Sequence, residues 1–192
     1  MDCILTFVTG NAGKLREAQA VLGTNITQHN IDLPEIQSMD VEEVCTEKVK
    51  LAYSQLNIPV IVEDTGVYIH NMNGFPGALI KFYEKTVGLE EISKRDGGSQ
   101  VYVKSSIAYY DGKDLKVFSG IINGTVAKSV QKGSYGFGWD PIFIPNDVFI
   151  SNSSEKISFN GKSFAQITLK EKLSVSQRGI ALRELKKYLN NK

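Results

Sequence analysis

An apolar run that breaks at a glycine turn and resumes at helical spacing constrains this chain more than any other feature. Ile4, Leu5, Phe7 and Val8 read as a buried strand, Thr9-Gly10-Asn11-Ala12-Gly13-Lys14 as the turn, and Leu15, Ala18, Val21 and Leu22 as one helix face. A strand that feeds a helix through so short a turn begins an α/β fold. It also builds an anion site, because free backbone N–H groups and the positive end of the helix dipole point at whatever occupies the turn. The turn is not a Walker A loop. That loop has a longer spacer before its Gly-Lys and a Ser or Thr after it, whereas here Asn11 and Ala12 alone separate Gly10 from Gly13-Lys14, and Leu15 follows.

Strand and helix patterns alternate along the rest of the chain. A strand is expected near Ile26–Ile31, closed by Leu33-Pro34. Asp40 caps a helix to about Leu56, with Val44, Leu51 and Ala52 on its buried face. Val60-Ile61-Val62 reads as a buried strand, Gly74-Phe75-Pro76-Gly77 as a loop, and Ile80, Phe82 and Tyr83 as part of a helix. Residues 101–110 and 115–122 read as strands joined at Asp111-Gly112, a hairpin turn. A final helix, capped by Ser174 or Ser176, carries Ala181, Leu182, Leu185, Tyr188 and Leu189 on one face. The expected class is α/β, with the hairpin region as a second lobe.

The 192 residues carry a net charge of +1, so no global field recruits nucleic acid or a membrane surface. No apolar run is long enough to span a bilayer, and the first is too short and lacks a basic start for a signal peptide. Cys3 and Cys45 suit reduced thiols in a cytoplasmic protein. On that reading the glycosylation sequons at Asn25, Asn123 and Asn152 are chance matches.

Three further segments carry chemistry. Glu63-Asp64 follows Val60-Ile61-Val62 where the strand runs out, and alternation along a strand turns one of the two carboxylates into a given cleft. Sites in α/β sheets favour that end of a strand, and magnesium prefers carboxylate oxygen. Glu35 is a second acidic candidate. Phe137-Gly138-Trp139-Asp140-Pro141 puts the single tryptophan beside a carboxylate, which suits the face and edge of a purine as well as a plain hydrophobic plug. Lys170, Lys172 and Arg178 offer positive charge. Arg178 falls in the first turn of the last helix, against the dipole, so an anion is expected to offset it. His29 and His70 have neither metal-ligand spacing nor a nucleophile partner.

Taken in order, these segments resemble the inosine triphosphate pyrophosphatase family. The matching pieces are Phe7-Val8-Thr9-Gly10-Asn11 with Lys14, Asp32-Leu33-Pro34-Glu35, Val62-Glu63-Asp64-Thr65, Gly74-Phe75-Pro76-Gly77 with Lys81, Phe137 to Pro141, and Lys172 with Ser176 and Arg178. The resemblance implies one domain over residues 1–192, an elongated mixed β-sheet with flanking helices forming two lobes around a central cleft, and a homodimer. It implies a magnesium requirement, with manganese as a substitute, and hydrolysis of ITP, dITP or XTP to monophosphate and pyrophosphate. Thr9, Gly10, Asn11, Ala12, Gly13 and Lys14 would cradle the phosphates, and Lys48 and Lys81 would face the triphosphate. Glu35 and Asp64 would hold the metal, with Asp64 beside Thr65 also orienting the attacking water. Phe137, Gly138, Trp139, Asp140, Lys172, Gln177 and Arg178 would surround the base. Asp140 near N1 and Arg178 near O6 would favour oxo-purines over adenine.

Two positions depart from the family pattern: Gln177 stands where the family has histidine in Ser-His-Arg, and Gln166 where it usually has glutamate. A glutamine amide donates to a 6-oxo group or, flipped, accepts from a 6-amino group. Two other readings stay open on sequence: a Maf-like pyrophosphatase for another modified nucleotide, and a nucleotide-binding module that has lost catalysis.

Overall fold

A computed structural model describes residues 5–23, 26–149 and 156–192, so Cys3, Asn25 and Asn152 lie outside the described residues. The opening unit forms as its pattern dictates. Strand β1 (Leu5–Val8) is wholly buried, and the Asn11 side chain caps α1 (Ala12–Leu22) by accepting from the Lys14 backbone N–H at 3.0 Å. Strand β2 (Ile26–His29) follows, then α2 (Val41–Leu56), capped by Asp40. The buried face of α2 is Val41, Val44, Cys45, Val49 and Ala52; Leu51, expected on it, is exposed.

Strand β3 (Val60–Ile69) corrects the expectation that the strand ends at Glu63-Asp64: it runs five residues past Asp64. Strand β4 (Pro76–Gly77) lies within the segment expected as loop and pairs with β3. Helices α3 (Ile80–Val87) and α4 (Leu89–Asp96) follow, α4 being unforeseen because five of its eight residues are charged. The hairpin is β5 (Gln100–Tyr110) and β6 (Leu115–Val126), with Tyr110 opposite Leu115. Its connection is residues 111–114, as the expected strand ends imply, and Asp111 holds it by accepting from the Lys113 and Asp114 N–H groups. The chain finishes with β7 (Phe143–Pro145), β8 (Val148–Phe149), β9 (Lys156–Ile157), α5 (Leu169–Val175) and α6 (Gln177–Asn190), the last capped by Ser176.

One seven-stranded mixed sheet has the order β2-β1-β3-β5-β6-β7, with β4 on β3. Strands β1, β2 and β3 are parallel, linked by crossovers that contain α1 and α2; the other pairings are antiparallel. The β5–β6 hairpin thus belongs to this one continuous sheet. Apolar clusters cover both faces. Ile61 joins Leu5, Phe7 and the α6 residues Ala181, Leu182 and Leu185, whereas Val60 and Val62 join Val8 and the α2 residues Cys45, Val49 and Ala52. Alternation therefore turns Glu63 toward α6 and Asp64 toward α2. No helix among the described residues is long and apolar enough to cross a membrane.

Candidate functional site

The N-terminus of α1, strand β3, α3 and the segment before β7 enclose a cavity of about 650 Å³. Thr9, Gly10, Asn11 and Lys14 line it from the turn, Glu35 from the β2–α2 connection, Lys48 from the middle of α2, Lys81 from α3, and Phe137 to Asp140 from the far wall. Gly13 explains how the two ends meet. A Cβ there would lie 2.6 Å from the Phe137 ring, so only glycine lets that ring rest against the turn. Ala12 and Gly13 shape the cavity wall without facing the cavity.

Both residues of the Glu63-Asp64 pair border this cavity, but the surroundings of their carboxylates differ. Nine of the ten β3 residues are buried, and Asp64 is the exception. No hydrogen bond or ion pair among the described residues engages its carboxylate, and burial pushes its pKa up to about 6 against the pull of Lys14 and Lys48. Glu63 is the reverse case. Arg178 Nε donates to its Oε2 at 2.8 Å and Nη2 to its Oε1 at 3.0 Å, while Thr65 Oγ1 donates to Oε1 at 2.7 Å. Burial alone would raise its pKa, but Arg178 and Lys14 overcome that and hold it at about 2. Lys14 Nζ also donates to the Glu63 carbonyl at 3.1 Å.

The far wall rests on a second ion pair. Lys172 Nζ donates to Asp140 Oδ2 at 2.6 Å and reaches Glu17 Oε1 at 3.0 Å, and the same Asp140 oxygen accepts from the Phe137 N–H at 2.8 Å. Glu17 also accepts from Arg178 Nη1 at 2.5 Å. One buried network therefore runs from Asp140 through Lys172, Glu17 and Arg178 to Glu63, and it ties the wall to α1, α6 and β3. The anion that offsets Arg178 at its helix N-terminus is thus a pair of the protein's own carboxylates. All three of its nitrogens are engaged by Glu17, Glu63 or Thr65. Lys172 and Gln177 do not line the cavity; both are buried behind it, and neither amide atom of Gln177 has a partner. Gln166 closes a capping box with Ser163.

Sequence reading missed Glu17 and Glu84. Glu17 had a signal: it sits beside Ala18 on the inward face of α1, where an acid requires a buried partner. Glu84 lines the cavity one turn beyond Lys81 and had none.

Four basic side chains, Lys14, Lys48, Lys81 and Arg178, face six carboxylates around the cavity: Asp32, Glu35, Glu63, Asp64, Glu84 and Asp140. The cleft is not a concentration of positive charge. A polyanion entering it needs a cation to accompany it. Among the described residues no group of three acids, histidines or cysteines forms a ready metal cage. Two carboxylates, Glu35 (held by Lys48) and the free Asp64, fit a hard ion that completes its shell with ligand oxygens and water.

The sequence profile of the Ham1 family matches residues 5–188. An inosine triphosphate pyrophosphatase of Kluyveromyces lactis is 37% identical over 97% of this chain and 96% of its own length. A dITP/XTP pyrophosphatase of Thermococcus kodakarensis is 36% identical, covering 96% of both chains. A solved HAM1 protein of Coxiella burnetii superimposes with a TM-score of 0.77 over 98% of each chain; at 22% identity this likeness concerns the fold alone.

Proposed function

This chain belongs to the Ham1 family, and from that premise we propose that it hydrolyses the non-canonical purine nucleoside triphosphates ITP, dITP and XTP to monophosphate and pyrophosphate. Family membership displaces the Maf-like alternative. The observation that carries the reading is the shared cavity: the α1 turn with Lys14 borders the same space as Trp139 and Asp140, so one ligand reaches both.

In this reading the backbone N–H groups of Thr9 to Lys14 and the ammonium groups of Lys14, Lys48 and Lys81 bind the phosphates. Glu35 and Asp64 hold magnesium, which supplies Lewis-acid charge neutralisation when bound; manganese offers the same oxygen-seeking chemistry. Asp64, the one partly exposed residue of β3 and free of hydrogen bonds among the described residues, orients the attacking water and accepts its proton. Trp139 packs edge-on against Phe143, at 5.7 Å between centroids, and borders the base end of the cavity. Asp140 keeps Oδ1 for the base edge, since Oδ2 already serves Lys172 and Phe137. Arg178 has its donors occupied, so it holds Glu63 and the wall in place and offers little to O6. The lobes on either side of this cleft belong to one domain that works in the cytoplasm. For a homodimer, the exposed apolar side chains Ile36, Met39 and Phe82 are available.

The test is pyrophosphate release across ITP, dITP, XTP, ATP and GTP with magnesium. Release is expected from the first three, and Lys14→Ala should lower kcat/KM for ITP on the order of a hundredfold. The fold should change little, because Glu63 keeps Arg178. Full activity in Lys14→Ala puts the phosphates elsewhere, and silence with every triphosphate leaves a binding module.

Gln177 gives a second outcome. A buried amide with both atoms unpartnered is costly, and because Gln177 lies behind the cavity lining, a base edge relieves it only where nucleotide binding moves that wall. Gln177→His should raise the ITP-to-ATP ratio of kcat/KM about tenfold; an unchanged ratio removes Gln177 from base recognition.

A further inference from the structure

The cleft wall carries two carboxylates at its base end, and their charges are handled differently. Asp140 is neutralised by Lys172 at 2.6 Å. Glu84, half-buried on α3, lies close to the same loop: its Oε2 is 3.4 Å from where a Cβ on Gly138 would stand. No hydrogen bond or ion pair among the described residues engages its carboxylate. The charged groups that bear on it are Asp140, which repels it, and Lys85 on its own helix. Glu84 and Lys81 are spaced i, i+3, so they share a face of α3, and both line the cavity. Along that face Lys81 stands toward the proposed phosphate end, and Glu84 toward Gly138 and Trp139.

We propose, resting on the nucleotide reading above, that Glu84 sets a charge preference among oxo-purine bases, favouring hypoxanthine over xanthine. Xanthine carries a second ring carbonyl and loses a ring proton near neutral pH, so its nucleotide presents a partly anionic base. Hypoxanthine keeps its N1–H and stays neutral. An unneutralised carboxylate beside Gly138 lies well within a screening length of any base held against Trp139. It acts through a half-dry cleft where charges interact more strongly than in bulk water. The selection needs no hydrogen bond from Glu84 to the base. It follows from the sign of the charge, and this separates it from the recognition assigned to Asp140.

The experiment compares kcat/KM for XTP and ITP in the natural chain, Glu84→Gln and Glu84→Lys at low and high salt. The XTP-to-ITP ratio should rise about threefold to tenfold in Glu84→Gln and further in Glu84→Lys, with the spread narrowing at high salt. Calorimetric binding of XMP and IMP reads the same ratio where turnover is slow. Equal ratios in all three proteins overturn the proposal, and so does a rise with Gln that Lys reverses, which would mark a steric effect. Turnover of both nucleotides with an unchanged ratio rejects the role of Glu84 alone. Turnover of neither by the natural chain rejects the functional reading, and this inference with it.

Discussion

Asp64→Asn is expected to lower kcat for ITP by a factor on the order of 10²–10⁴ while leaving the fold at least as stable as before. The two halves of this outcome share one cause. Asp64 is the one partly exposed position of an otherwise buried strand, beside Lys14 and Lys48 but bonded to neither. Burial raises its pKa from 3.8 to about 6. A carboxyl whose folded pKa is raised weighs nothing on the fold below its unfolded value. Its penalty grows as pH climbs from about 4 to 6 and is complete above that. Asparagine keeps the shape and removes the penalty, so stability at pH 7 should rise by about 1–2 kcal/mol, discounted for partial exposure. The same change deletes the oxygen proposed for metal and water. Melting temperature and ITP turnover measured on one preparation check both halves. A variant that is stable and fully active removes Asp64 from the chemistry.

Glu63→Gln should do the opposite, costing about 3–5 kcal/mol of folding free energy because it leaves Arg178 buried with half of its counter-charge. The pH dependence has a definite sign. Glu63 has its pKa depressed from 4.5 to about 2, so its contribution is fully present above pH 4.5 and is lost as pH falls toward 2. Urea unfolding of the natural chain between pH 5 and pH 3 should therefore show a steep fall, shallower in Glu63→Gln. Equal slopes in the two proteins would mean that Glu17 alone carries the network.

The parts of the fold legible in the sequence are those decided locally. The β1–α1 unit could be read because hydrophobic period changes at Thr9 and Asn11 is a good cap. The second helix could be read from Asp40. The full length of β3 could not, since Glu63, Asp64 and Thr65 look like a strand end. Their polar groups are satisfied or left free by residues remote in sequence, such as Arg178, 115 positions away. For the same reason the hairpin looked separable, although its first strand pairs with all ten residues of β3.

The site divides along similar lines. Motif order brought Thr9, Glu35, Asp64, Lys81 and Trp139 to one list, and the fold brings them to one cavity. Pairing was not legible. Arg178 and Lys172 looked available for a ligand and are instead committed to Glu17, Glu63 and Asp140. That commitment reverses the electrostatic argument. The cleft presents more carboxylates than cations, so the triphosphate proposed for it is expected to enter in company with a metal.

Product identification from ITP by phosphorus NMR, with magnesium present and then removed by chelation, tests the central claim most directly. The account predicts equal amounts of IMP and pyrophosphate, with turnover stopping when the metal is withdrawn. Inosine diphosphate with inorganic phosphate, or turnover that survives chelation, would contradict it.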